Sequence, residues 1–91
     1  MKYSADQTFK NLASADFLIG EYENCTFANC NFFNLNFHGA SFEKCAFKNC
    51  DLSNAKVSGV SFQTVNFESC KILGVHFNGA NPFLLEFNFQ N

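Results

Sequence analysis

Two histidines, five cysteines and eight carboxylates are the residues of this chain whose types suit acid–base, nucleophilic or metal chemistry. Catalysis needs such groups to converge on a concave site, and metal ligation needs them at ligand spacing. The sequence offers neither. Cys25, Cys30, Cys45, Cys50 and Cys70 all fall at multiples of five, positions they share with Ala15, Gly20, Ala40, Ala55 and Ala80. A cysteine that alternates with alanine and glycine reads as a small buried hydrophobe rather than a ligand or a disulfide partner. His38 and His76 belong to phases of the same repeat that face outward. There is no Ser/His/Asp arrangement and no phosphate loop. The expectation is a protein without enzymatic activity, catalytic residue, cofactor or metal.

The period that places the cysteines organises the whole chain. From Phe17, every fifth residue to Phe77 is large and apolar, and nine of these 13 positions are Phe. A helix repeats at 3.6 residues and a strand at 2.0, so a strict period of five fits neither. It asks for a backbone that turns a corner every five residues and points the same two side chains inward. Four such units close one turn, so each residue i stacks on i+20. The columns read Gly39 on Gly59 on Gly79, Cys30 on Cys50 on Cys70, Phe27 on Phe47 on Phe67, and Asn34 on Asn54. Two positions after each large residue the chain is mostly Asn or Gly, which tolerate the positive φ required at the second central position of a type II turn. The fold class predicted is all-β, a quadrilateral β-solenoid of about four coils, with coils spaced about 4.8 Å apart.

The pattern fails at both ends. Phe9 is off-phase and Lys10 stands where a small residue belongs, so residues 1–11 read as an N-terminal cap and 12–91 as the solenoid. From Pro82 the last coil is irregular. Either Phe87 is a large-position residue with Leu85 inside, or a two-residue insertion makes Phe89 the large one with Phe87 inside. The crowd of Phe83, Leu84, Leu85, Phe87 and Phe89 has little polar surface to face water. It fits a contact between two copies joined at their C-terminal ends, or a longer parent, better than a self-made lid.

These units match the repeat of the pentapeptide-repeat proteins, as in Cys25-Thr26-Phe27-Ala28-Asn29 and Cys45-Ala46-Phe47-Lys48-Asn49. The match covers at least residues 15–81. The resemblance implies a right-handed quadrilateral β-helix, often dimerised through its C-terminal end. Glu23 to Phe27 and Cys70 to Phe77 resemble more narrowly the N-terminal half of the Qnr and McbG branch, which protects DNA gyrase or topoisomerase IV.

The chain carries a net charge of -2, six lysines and no arginine. That argues against direct nucleic-acid binding. The N-terminus has no apolar run of signal-peptide length, and no stretch reaches the ~20 apolar residues of a membrane helix. The expectation is a cytoplasmic protein with no membrane contact. Two functional readings follow. The first is a non-enzymatic interaction rod with a protein partner of unknown identity, using outward apolar residues such as Phe33 and Leu73, and a surface joining Leu18 and Ile19 to an open end. The second is a DNA mimic that binds gyrase or topoisomerase IV through Glu21, Glu23 and Glu43, as the resemblance implies. The first is preferred for this chain.

Overall fold

Short extended segments separated by corners are what a five-residue unit dictates, and the computed structural model shows them. It describes residues 2–80 and the backbone of one further strand, Phe87–Gln90. Two sides of the square coil are strands. On one side β1 (Lys2–Ala5), β3 (Gly20–Glu23), β5 (Ser41–Glu43) and β7 (Ser61–Gln63) stack in parallel. On the next, β2 (Thr8–Lys10), β4 (Thr26–Ala28), β6 (Ala46–Lys48), β8 (Val65–Glu68) and β9 (Phe87–Gln90) do the same. The other two sides are joined by single bridges, Asn31 to Asp51 to Lys71 and Asn36 to Lys56. The fold is the expected quadrilateral β-solenoid.

The regular register pairs i with i+20. Tyr22 pairs with Phe42 and Phe42 with Phe62, while Phe27 pairs with Phe47 and Phe47 with Phe67. This turn repeats about three times between Gly20 and Ala80, slightly fewer than the four coils expected. Outside it the register changes. Lys2 pairs with Gly20, Phe9 with Phe27 and Ala13 with Asn31, all 18 apart. The first coil is therefore two residues short. The shortening falls at the 3-10 turn Ser14–Asp16, where the Asp16 carboxylate accepts the Ala13 amide at 3.0 Å. Ala15 sits on that turn and is exposed, which corrects its assignment to the inward column. At the other end Val65 pairs with Phe87 and Phe67 with Phe89, 22 apart. This is the two-residue-insertion register.

The square section explains the aromatic packing. Along the axis of the strand-bearing sides each ring lies on its copy: Phe27 on Phe47 at 4.9 Å and 12°, Phe47 on Phe67 at 5.2 Å and 7°. Around the coil neighbouring sides meet at a corner, so their rings meet edge to face, as for Phe42 and Phe47 at 5.2 Å and 70°. Both are favoured aromatic geometries. Tyr22 takes a Phe position, and its hydroxyl donates to the Leu18 carbonyl, so a polar atom enters the core with a partner. Phe9 continues the stack onto Phe27 at 5.1 Å, by way of the shortened register.

The corners carry positive φ. Eleven of the 13 positions two after a large residue have it, from Asn24 to Gly74; Ile19, before the regular coils, and Gly79, inside the 3-10 turn Phe77–Gly79, are the exceptions. Asp6 and Asn11 extend the series in the shifted register. On the bridged sides the corners close as hydrogen-bonded turns, with the Leu35 amide on Phe32 O and the Ala55 amide on Leu52 O. On both kinds of side, amides of the positive-φ corner residues cross to the next coil: Asn24 N–H reaches Glu43 O at 2.8 Å and Asn34 N–H reaches Ser53 O at 3.0 Å. Thr64 holds φ of 56 in the column of Asn24 and Lys44. A β-branched residue is strained there. Thr64→Asn is expected to raise stability by about 1 kcal/mol, part of the roughly 1–2 kcal/mol that the left-handed region costs most residues. An unchanged or lower urea midpoint would show that the strain is relieved elsewhere.

Candidate interaction surfaces

The residues with chemical potential lie apart from one another. His38 and His76 share a side of the coil. The His38 Nδ1 is 2.7 Å from the Ser58 carbonyl, so it carries the proton and donates. Its ring lies over Gly59, where a Cβ would come within 2.9 Å of Cε1. Glycine at 59 thus answers both its positive φ and this close approach. His76 lines a separate groove with Asn54, Lys56 and Ser58. Among the described residues no three His, Cys, Asp or Glu side chains are grouped to hold a metal ion.

The carboxylates of the strand-bearing side are arranged by its register. Glu23 pairs with Glu43, and Glu21 with Ser41, so three acidic residues share one face. The Glu23 carboxylate accepts a 2.5 Å hydrogen bond from the Tyr3 hydroxyl, one coil earlier, and this bond is the main cause holding the Tyr3 proton on above its usual pKa. Lys48 and Glu68, stacked on the adjoining side, approach to 3.9 Å with both side chains well exposed, an ion pair of little energetic weight. Asp51 and Lys71 are bridged in register, but the Asp51 carboxylate accepts its own Ser53 amide at 3.0 Å.

All five cysteines are free thiols, and four are buried. Each donates S–H to backbone carbonyls, one of them in the coil below: Cys45 to Tyr22 O at 3.3 Å, Cys50 to Phe27 O and Cys70 to Phe47 O at 3.2 Å. The inward small position therefore also meets carbonyls that alanine leaves without this donor. Burial pushes the Cys45 thiol up to about 11. Cys50 is also pushed up, first by the neighbouring Cys70 thiol and then by burial, while Cys50 in turn draws Cys70 down.

Exposed apolar side chains mark the remaining surface. Leu73 is 82% exposed and Phe33 46%, in one column with Ser53 between them. Leu18 and Ile19 are exposed at the corner leading into β3. Beside them, at the N-terminal end, a groove lined by Lys2, Phe9, Leu12, Asp16, Phe17, Leu18, Tyr22 and Phe27 reaches into the core. The short first coil leaves this groove. Sequence reasoning named Leu18 and Ile19 but missed Phe9 and Leu12 as groove walls; the shortened spacing of Phe9 to Phe27 and Asn11 to Asn29 is the signal that locates them. Of the expected C-terminal contact residues, Phe83, Leu84 and Leu85 lie outside the described residues, and Phe87 and Phe89 are described by backbone pairing alone.

A family model described as a pentapeptide repeat region matches residues 21–91. No curated protein matches the chain. Among solved structures, trypsin-treated and full-length forms of QnrB1, a plasmid-mediated fluoroquinolone resistance protein, are similar to it. A trypsin-treated form is 20% identical with a TM-score of 0.44, over 97% of this chain and 53% of that one. The full-length form is 23% identical with a TM-score of 0.43, over 88% and 48%. This chain spans about half the length of those structures.

The thiol environment sets an alkaline limit on stability. Cys45 titrates near 9.0 when unfolded and at about 11 when folded. Between those values the folded state holds the proton that the unfolded state has lost, so stability falls as pH rises. Denaturation midpoints measured from pH 8 to 11 are expected to decline across that window, and Cys45→Ala to flatten the decline. A slope unaffected by Cys45→Ala would assign the loss to other groups.

Proposed function

The chain belongs to the pentapeptide-repeat family, whose repeats wind into a right-handed quadrilateral β-helix, and from that premise we propose that it is a non-enzymatic, cytoplasmic protein-interaction rod. The observation that supports this reading is the N-terminal groove. There the core residues Phe9, Leu12 and Phe17 are continuous with exposed Leu18, and Ile19 adjoins them. Apolar surface of this kind, rimmed by Lys2 and Asp16, suits a partner that inserts an apolar side chain between complementary charges. The polar groups do not converge, so no reaction is assigned. The C-terminal strand β9, in its lengthened register, stands at the far end of the five-stranded stack. A second copy joined there would leave the two N-terminal grooves at opposite ends of a dimer.

The alternative reading, a DNA mimic protecting DNA gyrase or topoisomerase IV, rests on the shared face of Glu21, Glu23 and Glu43. The hydrogen bond from Tyr3 engages one of the three carboxylates, and Lys44 follows Glu43 directly, which thins the negative field.

A photo-crosslinker placed at Ile19 tests the first reading. It is expected to give a discrete protein adduct in cells that Leu18→Asp removes and Leu73→Ser leaves intact. The same adducts from all three proteins would refute the groove. Supercoiling by purified gyrase with a fluoroquinolone present tests the second: rescue lost on Glu21→Gln with Glu43→Gln would favour the mimic over the rod, and no rescue at excess protein would remove it.

A further inference from the structure

Cys30, Cys50 and Cys70 occupy one position in successive coils, and Cys30 and Cys50 line a corner groove with Asn29, Asn31, Asn49, Asp51, Ser69 and Lys71, the last two being the chain neighbours of Cys70. Cys50 and Cys70 repeat one conformation. Cys50 Sγ lies 3.2 Å from Phe27 O and 3.4 Å from Lys48 O; Cys70 Sγ lies 3.2 Å from Phe47 O and 3.4 Å from Glu68 O. Phe27 and Phe47 are themselves one coil apart, their rings 4.9 Å from each other. Equal conformations on equivalent backbones place the two sulfurs one coil step apart, about 4.8 Å.

That separation decides what the pair can bind. A disulfide needs sulfurs at about 2.05 Å and Cβ atoms at about 3.5–4.5 Å. The coils are pinned at their step on either side of the thiols, by Lys71 N–H on Cys50 O and Asn49 N–H on Glu68 O, at 3.0 and 2.9 Å. Two metal–thiolate bonds in line, each about 2.3 Å, span about 4.6 Å and fit the step without moving the backbone. We propose that Cys50 and Cys70 bind a soft monovalent cation, Cu(I), as a two-coordinate bis-thiolate between adjacent coils. Thiolate selects such an ion over harder metals, and no third ligand stands near to complete a tetrahedral site among the described residues.

Binding releases two protons, one from each thiol, and forms two S–Cu bonds with no change of oxidation state. The product carries one negative charge, with the Lys71 ammonium in the same groove to balance it. Cys70 is half-buried and is the entry point, whereas Cys50 is 2% exposed. Cys25 and Cys45 also stand one regular coil apart, but both are sealed at 1% exposure and form the internal control.

The experiment is anaerobic competition of the full chain for Cu(I) buffered by bathocuproine disulfonate, with native mass and ultraviolet thiolate-to-copper absorption as readouts. One Cu(I) per chain is expected. Cys70→Ser should weaken binding by more than about 100-fold, beyond the roughly 10–100-fold typical of losing an outer-shell partner. Cys45→Ser should bind like the native chain. Cys70→Ser replaces a half-buried residue, and circular dichroism checks that it folds; if it does not, Cys70→Ala takes its place. Failure of the native chain to take Cu(I) from the chelator, equal binding by the Cys70 variant, or a Cys50–Cys70 disulfide formed on diamide oxidation would each overturn the site.

Discussion

The corner with positive φ is the constraint on which the solenoid depends. A chain that turns every five residues must place one residue in the left-handed region at each turn, and the described backbone does so at 13 positions. Most residues resist that conformation, so the sequence supplies Asn or Gly at most of them. Once the corners are fixed, four sides close a coil and the amides left over at the corners have nowhere to go but the next coil. The hydrogen bonds from Asn24 to Glu43 O and from Asn29 to Lys48 O show this transfer. Corner geometry and inter-coil spacing are thus one device.

Core packing follows from the same device. A large residue in the middle of each side projects inward, and its copy lies one step above. The step of about 4.8 Å is longer than flat aromatic contact requires, and a slightly offset stack absorbs the difference. The near-right angle between sides turns each ring's edge to its neighbour's face. Phe therefore serves two directions at once, which Leu52, Val57 and Ile72 do not. Those residues occur on the two bridged sides, where single bridges replace the strand ladder.

The interior was legible in the sequence because inward positions recur without interruption. Phe27, Phe47 and Phe67 stand in one column by arithmetic alone, and the pairing of β4, β6 and β8 repeats that arithmetic. Ala15 was misplaced because period-five arithmetic continues through the 3-10 turn that breaks it. A two-residue deletion leaves residue types nearly unchanged while shifting every side chain out of the five-residue phase. Phe9 looked off-phase for the same reason: it is in phase with Phe27 once the register is shortened. Outward residues carried no comparable signal, since Asn, Ser, Glu and Lys substitute for one another on a solvated face.

The three registers also explain why surface character differs along the axis. In the regular register each coil seals the one below, and the large and small columns leave little apolar surface between them. The shortened first coil cannot span the same square, so one side draws inward through Ser14–Asp16 and core residues beneath it meet solvent. Apolar access is therefore created by a change in length, not by a change in composition. A solenoid with uniform coils has only its two ends to offer such access, and here the N-terminal end is enlarged by the missing pair of residues. The repeat supplies a stiff frame, and the departure from the repeat determines where that frame can be touched.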